Sequence, residues 1–278
     1  MLLVALLIAS ISEQTHAEPA PPPIRFLLTF DDGPSGAIKN NATNRVLDVL
    51  AQNEIQPEIK AVFFIQTRAV NGGGTKAGHL LLQREHADGH LLAFHTSTPR
   101  HANHRFLSPE VFELSLQNGI DDLAQVSGVK PRLVRPPFWN YDARTLETYH
   151  RYGLQMLLTD LSANDGVIYG VNWSWHKYSN LLKQLRLARV RWVDGTLPVV
   201  DGVIPIVVTF HDVNSYTSRN LAEYLQILLQ VARELDVPVA TKPFYDNREE
   251  LERAALARTV STTDNQPHLP GIWRWLWR

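Results

Sequence analysis

Thr29-Phe30-Asp31-Asp32-Gly33-Pro34 places two adjacent carboxylates behind an apolar run, Phe26-Leu27-Leu28. The run reads as a buried strand, and Gly-Pro is a strong stop signal. Neighbouring side chains on a regular strand point to opposite faces. Both carboxylates can therefore reach one site only where the strand ends. Two like charges so close repel unless a bound cation or an arginine intervenes. The stretch thus predicts metal ligands and a basic partner elsewhere in the chain. Taken alone it is better read as an Asp-Gly turn with solvated carboxylates, since both residues are common in turns.

Outward from this stretch, apolar runs alternate with helical patterns. Strands are expected at 25–30, 60–65, 91–94, 133–134, 154–159, 203–210 and 237–240. Helices are expected at 44–52, 76–87, 109–126, 142–152, 173–190, 218–235 and 248–258. That alternation predicts an α/β fold with a parallel sheet, open or closed into a barrel. In such folds the chemistry collects at the C-terminal ends of the strands. Those ends carry Asp31 and Asp32, His95, Arg135, Asp160 with Asp165 beyond it, and His211 with Asp212. Structural residues would be scattered along strands and loops instead of converging on these ends.

The totals narrow the choices. The 278 residues suffice for one large core. Lys plus Arg is 27 and Asp plus Glu is 28, a net charge of −1, so no nucleic-acid partner is indicated. A neutral glycan or a small molecule fits that balance better. The chain has no cysteine, which excludes disulfides and thiolate chemistry and leaves His and carboxylates as the strong metal ligands. Residues 1–9 are apolar and too short to span a bilayer. They read as part of a signal peptide over 1–17, cut after Ala17, followed by a Pro-rich linker over 18–24. The expectation is an exported protein, periplasmic or secreted, with its main domain over 25–260. The tail over 261–278 alternates Trp and Arg, which suits either a membrane-surface contact or packing on the domain. Asn41-Ala42-Thr43 and Asn172-Trp173-Ser174 match the glycosylation sequon, a pattern that recurs by chance.

A catalytic metal site keeps three protein ligands and one open position. Asp32 and His95 are the first two candidates. The third is sought among the histidines that follow, in His95-Thr96-Ser97-Thr98-Pro99-Arg100-His101-Ala102-Asn103-His104. Pro99 disfavours helix at Thr98, so the segment is a loop that can fold His101 back, with His104 the next choice. His90, ahead of the strand, reads as structural.

These residues carry a family resemblance. Thr29-Phe30-Asp31-Asp32-Gly33-Pro34 resembles the first motif of the polysaccharide deacetylase family, also called the NodB-homology or carbohydrate esterase family 4 domain. Gly89-His90-Leu91-Leu92-Ala93-Phe94-His95-Thr96 resembles the second motif and Arg135-Pro136-Pro137-Phe138 the third. Ile206-Val207-Val208-Thr209-Phe210-His211-Asp212 resembles the fifth. The motifs keep the family order and span residues 25–245. The resemblance implies a distorted (β/α) barrel of the NodB-homology type with about seven parallel strands. It implies metal-dependent removal of acetyl groups from N-acetylated polysaccharide such as peptidoglycan or chitin, or from O-acetylated glycans in some members. By matched position, Asp31 would be the general base, Asp32 and His95 metal ligands, Arg135 the partner of Asp31, and His211 the general acid. The implied cofactor is a divalent ion, zinc first, with cobalt or nickel as alternatives. Such an ion lowers the pKa of bound water to about 7 and polarises a carbonyl.

Two departures stand out. The family spaces its second-motif histidines as His-x-x-x-His, and here that position is Pro99. A two-residue insertion would make His101 the third ligand. The fourth motif is normally Asp followed by Trp. Asp160-Leu161-Ser162-Ala163-Asn164-Asp165-Gly166 offers two aspartates and no adjacent Trp. Asp165 matches the position before the missing Trp, and Asp160 sits nearer the strand end; either could orient His211. Trp139, Trp173 or Trp175 could supply the missing aromatic wall. The expected site is therefore Asp31, His211, Arg135 and Asp165 for catalysis and Asp32, His95 and His101 for the metal. The expected partner is an acetylated glycan. An O-acetyl ester or small-amide substrate, or a non-catalytic glycan-binding role, are the alternatives.

Overall fold

A computed structural model describes residues 21–166 and 176–262. The signal-peptide reading, Trp173 and Trp175, the second sequon and the Trp/Arg tail beyond Thr262 lie outside the described residues. The elements in order are β1 (Ile24–Asp31), α1 (Ala42–Ala51), β2 (Val62–Gln66), α2 (Lys76–Ala87), β3 (Leu91–Thr96), α3 (Pro109–Ser127), β4 (Leu133–Val134) and α4 (Ala143–Arg151). They continue with β5 (Gln155–Leu157), β6 (Leu161–Ser162), α5 (Lys177–Val193), β7 (Ile204–His211), α6 (Ser215–Glu234), β8 (Val239–Phe244), α7 (Arg248–Ala257) and β9 (Thr259–Val260).

Local chemistry sets many of the boundaries. The Ser108 side chain accepts from the Val111 amide, Pro109 opens α3, and Gly128 at φ 75° closes it. Asn41 accepts from the Asn44 amide and caps α1, so the first sequon has a structural use. Asn214 accepts from the Tyr216 and Thr217 amides and starts α6 three residues ahead of the expected 218.

The strands pair in the order β6-β7-β1-β2-β3-β4-β5-β9, with β8 also on β1. All pairs are parallel except β5 with β9. The strand expected at 154–159 is shortened to β5, and a further short strand, β6, follows beyond it. After β5 the chain leaves β4 and crosses to β7, where the Asp160 amide donates to the Val207 carbonyl. One run thus serves both ends of the sheet and turns it into a distorted barrel. Among the described residues the strands number nine and exceed the expected seven by β6 and β9, each two residues long.

Alternation along the strands sorts the interior. Phe26, Leu28 and Phe30 of β1 pack with Ile206, Val208 and Phe210 of β7 under the helices. Leu27, Val62, Phe64, Ala93, Leu133 and Val207 point the other way, into a smaller core closed by Leu251 and Ala254 of α7. The inward column continues upward as Thr29 and Asp31, Gln66, His95, Arg135, and Thr209 and His211. It changes from apolar to polar at the C-terminal ends of the strands, and the site stands on top of the packed core.

Candidate active site

Asp31 is the last residue of β1 and lies in register with His211 of β7. Both are inward positions, so the two side chains are neighbours by strand pairing alone. Asp32 follows with φ 71°. This left-handed turn costs a non-glycine residue on the order of 1 kcal/mol, though Asp tolerates it better than most. It carries the second carboxylate into the same mouth, which a continuing strand would not. At Gly33 a Cβ would meet the Asp212 carboxylate oxygens at 2.4 Å, so only glycine fits there.

Asp32 Oδ1 lies 3.2 Å from His95 Nε2 and 3.5 Å from His101 Nε2. The two imidazole nitrogens are 3.0 Å apart. These separations match the edges of a tetrahedron whose centre-to-corner bonds are about 2.0 Å, for which the edge is about 3.3 Å. Asp32, His95 and His101 are the one group of this kind among the described residues. His95 reaches the cluster through a register break: Ile65 faces Phe94 and Gln66 faces Thr96, so His95 is the extra residue of a bulge. Its Nδ1 donates to the Arg135 carbonyl at 2.8 Å, which leaves the Nε2 lone pair on the cluster. Burial lowers His101 to about 4 against the pull of Asp32, so its ring is neutral and able to ligate. Burial would raise Asp32, yet His101, His95 and His211 together hold it well below the usual carboxylate range. The donor set fits a divalent ion.

The flanks are two ion pairs. Arg135 is fully buried and donates from Nη1 to Asp31 Oδ1 at 2.7 Å and to Thr29 Oγ1 at 2.7 Å. Its remaining donors reach the Leu157 and Leu158 carbonyls at 3.0 and 3.1 Å. Its guanidinium also lies 4.1 Å over the Phe64 ring and 4.9 Å over the Trp139 ring. On the other side, His211 Nδ1 donates to Asp165 Oδ1 at 2.7 Å. Asp165 is buried, and its Oδ2 accepts from Thr217 Oγ1 at 2.6 Å and from the His211 amide at 2.9 Å. Burial opposes a charged imidazole, but Asp165, then Asp32 and Asp31, raise His211 to about 10. His211 therefore holds its proton at neutral pH, with Nε2 3.9 Å from Asp32 Oδ2.

The structure brings Asp31, Asp32, His95, His101, Arg135, Asp165 and His211 to one mouth. His104 is elsewhere: it is buried, with Nδ1 2.8 Å from the Tyr149 hydroxyl and its ring stacked on Phe94. Asp160 faces away and binds Arg191, Arg258 and the Val207 amide. Trp139 is buried beside Arg135 and offers no open wall. Phe138 stacks on His101 at 4.4 Å instead. Gln66, whose Nε2 donates to Asp32 Oδ1 at 2.9 Å, was not singled out in the sequence. The signal was present, since Gln66 is the first polar residue after the apolar run 61–65. Thr217 and Asn214, which brace Asp165, lie on a helix start and carry no such signal.

A family model described as polysaccharide deacetylase matches residues 19–157, half of the 278-residue chain. The chain belongs to the polysaccharide deacetylase family. Among similar proteins, the chitin deacetylase of Colletotrichum lindemuthianum is 25% identical over 207 residues, 71% of this chain and 71% of that protein. The peptidoglycan-N-acetylglucosamine deacetylase of Bacillus cereus is 32% identical over 111 residues, 40% of this chain and 35% of that protein. The solved structure of the Colletotrichum enzyme covers 90% of this chain and 97% of its own, with a TM-score of 0.55 at 19% identity. That likeness shows a shared fold. The chain spans less than half the length of several curated relatives it matches.

Proposed function

We propose that the chain is an exported, metal-dependent hydrolase that removes acetyl groups from an N-acetylated glycan of the chitin or peptidoglycan type. The observation that carries this reading is the Asp32, His95 and His101 cluster standing between a carboxylate–arginine pair and an aspartate-paired histidine. A divalent ion held by Asp32, His95 and His101, zinc first and cobalt or nickel as alternatives, would polarise the acetyl carbonyl and acidify a water. Asp31, its charge balanced by Arg135 and its carboxylate fixed at 2.7 Å, accepts the proton of the attacking water. His211 gives the proton from Nε2 to the leaving nitrogen, while Asp165 keeps Nδ1–H oriented. A C–O bond forms, the amide C–N bond breaks, and acetate leaves with a free amine on the sugar. Ile38, Val70, Phe106 and Val213 are exposed in the loops after β1, β2, β3 and β7. Apolar side chains on loops that leave the C-terminal strand ends would suit the flat faces of sugar rings.

The test is acetate release from a panel of N- and O-acetylated glycans, run beside metal analysis of the purified protein. One ion per chain is expected, lost in His101→Ala and kept in His104→Ala, with acetate release from N-acetylated oligomers. Release from O-acetyl esters alone would move the reading to an esterase. A parent protein that binds no metal would leave a non-catalytic glycan-binding relative.

A further inference from the structure

We propose that Gln66 is a positioning residue that fixes Asp32 as a one-oxygen metal ligand and thereby sets the metal affinity of the site. This rests on the metal site proposed above. Gln66 is the last residue of β2 and is largely buried. It grips the Asp32-Gly33 turn twice. Its backbone amide donates to the Gly33 carbonyl at 2.9 Å, and its Nε2 donates to Asp32 Oδ1 at 2.9 Å. The turn needs such a grip because Asp32 is held at φ 71°.

The atom it bonds matters more. Oδ1 is the same oxygen that lies 3.2 Å from His95 Nε2 and 3.5 Å from His101 Nε2. A carboxylate oxygen has two acceptor directions. The Gln66 amide occupies one and leaves the other on the histidine nitrogens. Oδ2 is turned toward His211, 3.9 Å away. Without the amide donor the carboxylate can rotate about its terminal torsion, which is broad and roughly two-fold. It would then share its charge between the ion and His211. A neutral amide does this without competing for the ion, as a lysine would. The Gln66 backbone is closely covered: a Cβ on Gly73 would sit 2.3 Å from its carbonyl oxygen, so the loop lies directly on it. It also stands opposite the bulge that projects His95, so one residue touches the supports of two ligands.

The experiment compares the parent with Gln66→Leu and Gln66→Met, which keep the bulk and remove the donor. Zinc dissociation constants are read by competition with a chromogenic chelator, and metal-free unfolding is followed alongside. Loss of an outer-shell partner weakens metal binding by about 10- to 100-fold, and that range is expected in both variants. The metal-free unfolding midpoint should stay close to the parent's, while the rise in midpoint on adding zinc shrinks. Acetate release at saturating zinc should recover more than release at limiting zinc. Affinities within about twofold of the parent in a folded variant, well short of the usual outer-shell effect, would overturn the proposal. So would failure of both variants to fold without metal, which would make the bond structural. A parent that binds no zinc would overturn the metal site and the role of Gln66 together, whereas a zinc-binding parent with unchanged variants would remove Gln66 alone.

Discussion

His211 has different neighbours at its two ring nitrogens. Nδ1 faces buried Asp165 at 2.7 Å, and Nε2 opens toward Asp32. The Asp165 charge is the main influence that raises the imidazole to about 10 against the cost of burial. In Asp165→Asn that charge is gone, and the His211 pKa falls toward the ordinary 6.5. A general acid must be protonated, so the alkaline limb of kcat/KM should move to lower pH. At pH 7 only about a quarter of the rings would keep the proton, so the rate there should fall by about fourfold and more steeply above it. Stability follows the same sign. A pKa raised on folding gives stability that is complete below the unfolded value of 6.5 and lost as pH rises through about 10. Metal-free Asp165→Asn should therefore show a flatter stability profile over that window. An unmoved alkaline limb in the folded variant would remove His211 as the acid.

At the level of elements, α3 lies unusually close to β3. A Cβ on Gly119 would fall 2.0 Å from Cε2 and 2.5 Å from Cδ2 of Phe94. Glycine within a helix normally costs about 1 kcal/mol relative to alanine, so Gly→Ala substitutions there tend to stabilise. Gly119→Ala should do the reverse. Phe94 is fully buried and packed against His104, so its ring has no free direction in which to yield. Overpacking of this kind costs about 1–3 kcal/mol, read as a lower midpoint in thermal unfolding. Phe94 precedes His95, so the displacement should also weaken metal binding. A raised midpoint would show that the helix sits farther from the sheet. The register break at His95 belongs to this scale too: the apolar run 91–94 announced a strand, but a bulge depends on the partner strand.

Across the whole molecule, Asp160 holds the seam where β5 passes into β6. Its Oδ1 meets Arg191 at 3.0 Å and Arg258 at 2.6 Å, and its Oδ2 takes the Val207 amide at 2.9 Å. One carboxylate thus ties α5, the end of α7 and β7 together. Removing one partner of a buried ion pair leaves the other charge without compensation, at about 3 kcal/mol or more. Asp160→Asn should lower the unfolding midpoint and leave the pH profile of activity in place. Asp165→Asn should shift the profile. The two aspartates stand five positions apart, and this contrast separates a seam residue from a site residue. An Asp160→Asn variant with a shifted profile and an unchanged midpoint would reverse the assignment.

Apolar runs alternating with helical patterns, and the polar residues ending those runs, were enough to place the main strands, the parallel sheet, and Asp31, His95, Arg135 and His211 at one end of it. These follow from local geometry, because a strand fixes which face each residue takes. The family motifs supplied the expected chemistry for the same positions. Only the tertiary structure shows that His101 and not His104 lies beside Asp32 and His95, and that Asp165 and not Asp160 pairs with His211. Each choice turns on a loop whose path is set by distant partners: Tyr149 draws His104 into the core, and Arg191 and Arg258 draw Asp160 to the seam. It also turned the opening pair of carboxylates into separate groups. The left-handed turn at Asp32, gripped by Gln66 from another strand, gives one carboxylate to the histidines and leaves the other to Arg135. No repeat in the sequence encodes that turn, because the bonds that hold it come from residues far along the chain.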